Sequence, residues 1–492
     1  MGKQTLTQKD KPPVHPEWAT KHRQPGTELR LINKTYYLYA VSSKYDPVLK
    51  RAKKITGKLL GKITREDGFI ASSKDKLRQK AERPVMIDHL SVKEYGSQQL
   101  VVQLASKQIA TLEKVFGEDA KPLFLFSFFR LTEQSPIKNV PFYFMHSFLS
   151  EVWKETKVSD KSISQLLRSV GTNREKIMAY QKHFVREGEK VLLDMTHVIT
   201  HSRQIEAAQS GYNNVMSFEP QVNLMYLFSS QQHEPVYYRL LPGNIRDVKA
   251  FTLTTQECGL KNVTLIADKG FYSKKNIEIL DEAQLNYIIP LQRGSKLIPY
   301  PVSGEMDKKS WQGYFTFNEK IIWYKTKNNV TLYLNQELRI GEEKDYLKRV
   351  EGEKENYNME SFYEKQSHFG TLALIGNNSE KSAEDTYVQY KARTNVETMF
   401  DAMKNILYAD RTYMQNDAAM EGWMFVNHIA LQCYYLIYQQ LIKHKLIKKY
   451  SVTDFLKFTH RIKKVKINGK WQLAEITKPV QLLLEKLNLD IT

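Results

Sequence analysis

The chain has 492 residues, of which 41% are hydrophobic and 11% aromatic, and its formal net charge is +19. This apolar content excludes a disordered chain, and the length exceeds one ordinary hydrophobic core, so we expect about two to four domains. The positive charge favours a polyanionic partner, most often nucleic acid and less often a membrane surface, although a basic protein without such a partner is the simpler alternative.

The cysteine content and the apolar runs limit where the protein can work. The two cysteines, Cys258 and Cys433, lie far apart, which excludes a disulfide framework and a cysteine-rich zinc module and suits a reducing cytoplasm. The polar amino-terminal stretch MGKQTLTQKDKPPVHPEW lacks the apolar core of a signal peptide. The most apolar run, PLFLFSFFRL at 122–131, is too short to span a bilayer. We therefore expect a cytoplasmic, nucleoid-associated protein with no membrane partner.

Residues 1–90 are predicted to form a basic arm, up to about residue 28, and a small β region. RLINKTYYLYAVSSKYDP (30–47) and KLLGKITREDGFI (58–70) have the composition of short strands. Residues 50–65 carry seven Lys or Arg in sixteen positions. A solvated hairpin and a phosphate-contacting strand pair both fit this basic segment.

Residues 91–188 are predicted to form a helical region for DNA binding or dimerisation. SVKEYGSQQLVVQLASKQIATLEKVFG (91–117) repeats apolar residues at intervals of three and four. SDKSISQLLRSVGTNREKIMAYQKHFV (159–185) predicts two helices joined at VGTN, with Ser159 or Asp160 as the cap. Both a helix-turn-helix and a plain helical hairpin fit this pair.

Residues 189–292 change to an α/β pattern. Three strands followed by alternating helix and strand predict a mixed sheet. The predicted elements are the strands KVLLDMTHVIT (190–200), QVNLMYLFSS (221–230) and PVYYRLLPGN (235–244), the helical RDVKAFTLTTQECG (246–259), the strand VTLIADKGF (263–271), the helical SKKNIEILDEAQ (273–284) and the strand NYIIPLQ (286–292).

Residues 293–385 are predicted to be a β-rich insertion. WQGYFTFNEKIIWYKTKNNVTLYLNQEL (311–338) alternates aromatic and polar residues around a KNN turn, which is typical of antiparallel strands. A charged stretch and a last strand, FGTLALIGN (369–377), complete it. Residues 386–442 are predicted to be the last core helices, and 443–492 a basic carboxy-terminal region.

The stretch YKARTNVETMFDAMK (390–404) carries two patterns on one predicted helix. At about 100° per residue, four polar residues fall within a sector of roughly 60°, beside an apolar stripe centred roughly 110° away. An Arg393–Glu397 pair on a solvated face is the simpler interpretation. The polar residues are Tyr390, Arg393, Glu397 and Lys404, and the apolar ones Val396, Met399, Phe400, Met403 and Leu407.

Two carboxylates occur where strands should be buried. Asp194 lies inside VLLDMT, and Asp268 follows VTLIA directly. An unpaired carboxylate there costs several kcal/mol by desolvation, so each needs a cation or hydrogen-bond donors, and Mg²⁺ is one natural partner. Backbone donors or an arginine would serve either aspartate alone. Together with Glu397, however, they form three carboxylates that one fold can bring together.

This arrangement resembles the ribonuclease H-like core of DDE transposases. It is closest to the insertion-sequence-four-like branch with the signature Tyr-x2-Arg-x3-Glu-x6-Lys, present here as Tyr390, Arg393, Glu397 and Lys404. Further landmarks are LLDMT, ADKGFY, LLPGNIRDV, FVNHIALQ and the β insertion, and the resemblance covers roughly 190–440. It implies an α/β fold with a mixed-sheet catalytic core interrupted by the antiparallel β insertion, preceded by a β and helical region.

The resemblance also implies a function and a site. The protein would bind the terminal inverted repeats of its own insertion sequence, cleave the ends and join them to target DNA. Asp194, Asp268 and Glu397 would hold two Mg²⁺ ions, with Mn²⁺ able to substitute. Arg393 and Lys404 would contact DNA phosphates and Tyr390 would donate a hydrogen bond to one. The implied partners are double-stranded DNA and a second copy of the chain when two ends are paired.

Other residues and functions stay open. Trp311 and Trp323 are candidates for stacking on a flipped base, although each also fits an ordinary aromatic of a β-rich insertion. His197 and His201 are interpreted as structural. A catalytically inactive DNA-binding relic and a ribonuclease H-like nuclease without strand transfer are the alternative functions.

Overall fold

The computed structural model describes residues 15–46, 50–72, 90–211, 219–245, 254, 257–259, 261–301, 308–378 and 381–491. The chain divides into two compact units, Met1–His89 and Leu90–Thr492. The first fourteen residues of the predicted arm, most of the predicted helix 246–259 and the end of the LLPGNIRDV landmark lie outside the described residues. The finer predicted domain boundaries stay predictions.

The first unit is a small antiparallel sheet with a helical turn. The helix is α1 (Glu17–Thr20), and the strands, in spatial order, are β1 (Thr27–Ile32), β2 (Thr35–Asp46), β3 (Arg51–Thr64) and β4 (Gly68–Ala71). The two predicted strand regions are confirmed, although β2 and β3 are long rather than short. The basic segment 50–65 is mostly one strand rather than a hairpin of its own, because β2 pairs with it from Asp46↔Arg51 to Tyr36↔Ile63.

The second unit contains the remaining elements. Its helices are α2 (Gly96–Leu104), α3 (Ser106–Phe116), α4 (Ala120–Glu133), α5 (Val140–His146), α6 (Leu149–Val152), α7 (Asp160–Thr172), α8 (Arg174–Lys182), α9 (Lys274–Glu282), α10 (Gln336–Glu351), α11 (Met359–Lys365), α12 (Ala383–Lys391), α13 (Thr394–Asp401), α14 (Asp417–Lys443), α15 (Val452–Thr459) and α16 (Lys478–Leu487). Its strands are β5 (Leu90–Glu94), β6 (Lys190–Thr200), β7 (Gln221–Ser229), β8 (Glu234–Pro242), β9 (Thr264–Ile266), β10 (Asn286–Pro290), β11 (Gly313–Phe317), β12 (Lys320–Lys327), β13 (Val330–Asn335), β14 (Thr371–Gly376), β15 (Arg411–Thr412), β16 (Lys463–Ile467) and β17 (Lys470–Leu473).

A large mixed sheet forms the centre of this unit, in the order β11-β12-β13-β14-β10-β9-β6-β7-β8, with β15 beside β6. β6, β7 and β8 are antiparallel neighbours, whereas β9 runs parallel to β6 and β10 parallel to β9. β7 is buried along its whole length, which explains its nearly continuous apolar sequence. The prediction of a mixed α/β fold with a large mixed sheet is confirmed.

The predicted insertion extends this sheet. β11, β12 and β13 are antiparallel, as predicted, and β13 pairs with β14, which in turn pairs with β10 of the central sheet. The predicted turn is confirmed, since β12 ends at Lys327 and Asn328 takes a positive φ of 53°. The charged stretch between β13 and β14 forms α10 and α11.

A second, three-stranded sheet joins distant parts of the chain. β5 pairs antiparallel with β16, which pairs with β17. Within the predicted helical region, helix therefore begins at Gly96, and residues 91–94 belong to β5 instead. Pairing with a strand near the carboxy terminus overrides the local helical spacing there.

The predicted pair of helices at 159–185 is confirmed as α7 and α8. The side chain of Ser159 caps α7 by accepting a hydrogen bond from the Ser162 backbone N–H. The apolar face of α7 is buried, and its backbone lies against α14, which is 27 residues long. Within the part of the chain that the structure describes, no helix is long and apolar enough to cross a membrane.

Candidate active site

Asp194 and Asp268 are positioned by two neighbouring parallel strands. β6 and β9 pair in parallel, with Leu192 opposite Ile266 at the end of β9. Asp194 and Asp268 each follow two residues after this pair, which brings both carboxylates to the same end of the two strands. The backbone N–H of Met195 donates to Asp194 Oδ1 at 2.8 Å, and that of Lys269 donates to Asp268 Oδ1 at 2.7 Å.

The third predicted acid, Glu397, lies in the first turn of α13, and Arg393 directly precedes this helix. Nη1 of Arg393 lies 3.2 Å from Asp194 Oδ2 and 3.9 Å from Asp268 Oδ1. Its Nη2 donates to Glu397 Oε1 at 2.6 Å. One guanidinium therefore joins the three predicted carboxylates.

The prediction of one continuous helix over 390–404 is wrong. α12 ends at Lys391, α13 begins at Thr394, and residues 402–406 form a π turn in which the Leu407 N–H donates to the Ala402 carbonyl. Ala392 and Arg393 keep right-handed helical dihedrals, but the Arg393 N–H reaches only the carbonyl three residues earlier. The apolar stripe is buried as predicted: Val396, Met399, Phe400, Met403 and Leu407.

Burial dominates the electrostatics of this cluster. The pKa of Asp194 is raised to about 6, mainly by burial and to a lesser extent by the charges of Asp268 and Glu397, against the positive charge of Arg393. Burial opposes the charge of Arg393, but the carboxylates outweigh that effect and raise its pKa, so the guanidinium stays protonated. Burial also raises the pKa of the Tyr390 phenol, with contributions from all three carboxylates. Tyr390 thus lies close to the same cluster.

The sequence around this cluster matches a known protein family. A sequence model of the transposase DDE domain matches residues 186–433, which is half of the chain. The chain belongs to this transposase family. No curated protein matches it.

Two solved structures are similar to this transposase, at low identity. One is the piggyBac transposase synaptic complex with hairpin DNA, 10% identical, covering 74% of this chain and 77% of that chain at a TM-score of 0.38. The other is the Mos1 transposase paired-end complex with the left transposon end, 12% identical, covering 33% and 56% at a TM-score of 0.15.

Lys404, the last residue of the predicted signature, lies in the π turn and is half-buried. Burial lowers its pKa, and the charge of Asp410 opposes that effect. Burial lowers the pKa of His197 as well, with a further contribution from Lys404. Lys404 is therefore within electrostatic range of His197 and Asp410.

The two tryptophans lie in and beside the first hairpin of the insertion. Trp311 packs against the large hydrophobic core, and the ring of Trp323 lies 5.2 Å from that of Tyr314 on the adjacent strand. Their role in base stacking stays a prediction. His201 is exposed, with Glu219 at 3.7 Å, and has a different neighbour from His197.

The chemistry of the donors suits a hard divalent cation such as Mg²⁺, which prefers carboxylate oxygens. The three carboxylates already surround one positive group, the guanidinium of Arg393. Among the residues that the structure describes, no group of three acidic, histidine or cysteine side chains is already spaced to hold a metal ion. The three carboxylates are thus the right residue type for a divalent cation, and they face a common point. The guanidinium of Arg393 lies at that point, among the oxygens that such an ion would need.

Proposed function

We propose that this transposase belongs to the insertion-sequence-four-like branch and moves its own element by cut-and-paste. It binds the terminal inverted repeats, cleaves the ends and joins them to target DNA. The mixed sheet is inferred to be a ribonuclease H-like core. The observation that carries the proposal is the convergence of Asp194, Asp268 and Glu397 on Arg393 within the matched DDE domain.

In this proposal Asp194, Asp268 and Glu397 hold two Mg²⁺ ions, or Mn²⁺ in their place. Bound there, the ions supply Lewis-acid activation of a water or 3′-hydroxyl and stabilisation of the leaving oxygen at phosphorus. The chain itself orients the donors. The Met195 N–H holds one oxygen of Asp194 and leaves the other directed towards the centre of the cluster, where Arg393 contacts it.

The same cluster offers donors to the DNA backbone. Arg393 stays charged, and Tyr390, whose pKa is raised, keeps its phenolic proton and can donate a hydrogen bond to a phosphate. Lys404, which is within electrostatic range of His197, is proposed as a further phosphate contact. Trp311 and Trp323 are proposed to stack on a flipped base at the element end.

The test uses linear DNA carrying the inverted repeats that flank the gene. With Mg²⁺, we expect cuts at the ends and joining of the 3′-hydroxyl ends to a second DNA. Cutting without joining would instead favour the ribonuclease H-like nuclease. Tight binding with no cutting in Mg²⁺ or Mn²⁺ would identify an inactive DNA-binding relic and refute the proposal. Native mass spectrometry of the complex between the protein and the end-bearing DNA tests the proposed homodimer.

The first unit offers a surface for duplex DNA on the outer halves of β2 and β3. These form an exposed two-stranded ribbon, in which Lys44 pairs with Lys53 and Asp46 with Arg51 across the strands. By strand alternation these residues share one face, whereas Lys54, on the other face, pairs with Glu28 at 2.7 Å. Lys44, Arg51 and Lys53 form no ion pair within the described residues. A two-stranded ribbon fits the major groove, so we propose that this face contacts DNA phosphates.

Replacing Lys44, Arg51 and Lys53 together by Gln should weaken duplex binding. Each lost phosphate contact makes the slope of log affinity against log salt concentration less steep by about 0.9. The slope of the triple variant should therefore be less steep by about 2 to 3. Binding titrations at several salt concentrations measure it. The matched control replaces three other exposed lysines, Lys114, Lys121 and Lys486, and changes the net charge equally. An equal change in both variants would mean that the ribbon is not a specific contact.

A further inference from the structure

A cleft of about 820 Å³ lies in the second unit, away from the carboxylate cluster. It is bounded by α7, the loop at 134–138, the segment 408–416 and the start of α14. Its floor is apolar and includes Ile163, Leu167 and Trp423, which are buried. Two tyrosines of the lining, Tyr408 and Tyr413, are 57% and 78% exposed. Exposed rings over an apolar floor offer stacking surfaces for a flat ring.

The backbone beneath one of these tyrosines is held by a buried cation. Tyr408 has a positive φ of 48°, which is uncommon for a bulky residue. The buried Arg130 donates hydrogen bonds to the carbonyl of Leu407, to that of Ser135 at 3.0 Å and to Asn427 Oδ1 at 3.2 Å. The exposed position of Tyr408 is thus fixed by α4 and α14 together.

The rim of the cleft is basic. Lys138 and Arg168 have no carboxylate partner among the described residues, and Arg411 is half exposed with its nearest carboxylates at 4.0 Å. Asp160 is the acidic residue of the lining. Apolar floor, exposed rings and cations at the rim match a nucleotide, in which a flat base is joined to a phosphate. An apolar peptide would use the floor but not the cations.

The cleft is connected to the proposed catalytic strand. Arg411 and Thr412 form β15, which pairs in parallel with Ile199 and Thr200 at the end of β6, and Asp194 lies on the same strand. Ile199 is five residues beyond Asp194, or about 17 Å along an extended strand. The cleft is therefore separate from the carboxylates but within reach of the same DNA molecule.

We propose that this cleft binds an unpaired nucleotide of the DNA substrate. The base stacks on Tyr413, the more exposed of the two rings, and its phosphates contact Arg168, Arg411 and Lys138. This proposal depends on the proposed function only because it takes DNA as the substrate.

The test measures binding of a single-stranded oligonucleotide containing 2-aminopurine, whose fluorescence falls on stacking, to the full chain without metal. Tyr413→Ala should weaken binding by about 10-fold or more and remove the quenching, because stacking on an aromatic contributes strongly per base. Tyr413→Phe should keep both. Tyr363→Ala, which removes a tyrosine that is 64% exposed on α11, is the matched control and should change neither.

Arg168→Gln should weaken binding by several-fold at low salt and by less at high salt, as expected of a phosphate contact. Unchanged affinity and quenching in Tyr413→Ala would overturn the proposal. So would binding of an apolar dye in the cleft that the oligonucleotide does not displace, which would indicate an apolar partner. Since the assay needs no cleavage, its failure leaves the proposed catalytic function standing, and a failure of cleavage does not alter its outcome.

Discussion

Glu397→Gln is expected to abolish magnesium-dependent cleavage of the element ends. The change removes one negative charge from the carboxylate cluster and keeps the size of the side chain. Loss of even one fixed charge-stabilising group costs ~10²–10³ in rate, and a metal ligand should cost at least as much. The rate of strand cleavage on end-bearing DNA measures the effect.

The loss should not come from unfolding. The Glu397 side chain is 53% exposed and its partner in the structure is Arg393. Exposed ion pairs contribute about 1 kcal/mol or less to stability, so the thermal midpoint should move little. The matched control is Glu384→Gln, the same change at an exposed site in the first turn of α12, which should cleave like the native protein. Cleavage by Glu397→Gln within about tenfold of native would exclude Glu397 as a ligand.

Arg393 offsets part of the repulsion among the three carboxylates. Bringing like charges into a partly buried cluster is costly, and one guanidinium with contacts to each acid offsets part of that cost. Three carboxylates around one guanidinium still leave an excess of negative charge, which adds to the effect of burial in raising the pKa of Asp194. A divalent cation would therefore be attracted to the cluster and would compete with Arg393, which would then be free to contact a phosphate.

The central strands and the carboxylates could be predicted because their signals are local. β7 is a nearly continuous apolar run that only a strand buried on both faces explains. Asp194 stands out because a carboxylate inside an apolar strand needs a partner. The partner itself could not be predicted from spacing, since the Arg393–Glu397 interval indicates only a helical pair. Its contact with Asp194 depends on how α13 packs against β6.

The breaks in regular structure had no local signal. No glycine or proline marks the joint between α12 and α13, and the dihedrals of Ala392 and Arg393 stay helical, so 390–404 has the pattern of one helix. Likewise, β5 depends on a partner strand from the other end of the chain. The cleft beside α7 collects residues from distant segments, such as Arg168 and Tyr413, and no single motif contains them.

The second large effect is expected on stability, where α7 crosses α14 with the two backbones in contact. A Cβ built on Gly422 would lie 2.0 Å from the carbonyl oxygen of Leu167, and one on Gly171 would lie 1.7 Å from that of Ala418. Both obstacles are backbone atoms, so no side-chain rotation relieves them. Gly422→Ala should force the helices apart and cost about 3 kcal/mol or more, the upper end of overpacking penalties.

Helix propensity alone predicts the opposite sign, because Ala is favoured over Gly by about 1 kcal/mol inside a helix. Gly341→Ala tests helix propensity by itself, since Gly341 is an exposed residue of α10 and a Cβ there meets no atom within 4 Å. Urea unfolding should therefore show a higher midpoint for Gly341→Ala and a much lower one for Gly422→Ala. A native-like midpoint for Gly422→Ala would mean that the two helices can separate at little cost. Comparing the same Gly→Ala change at the two positions thus separates the effect of helix propensity on stability from the effect of the contact between α7 and α14.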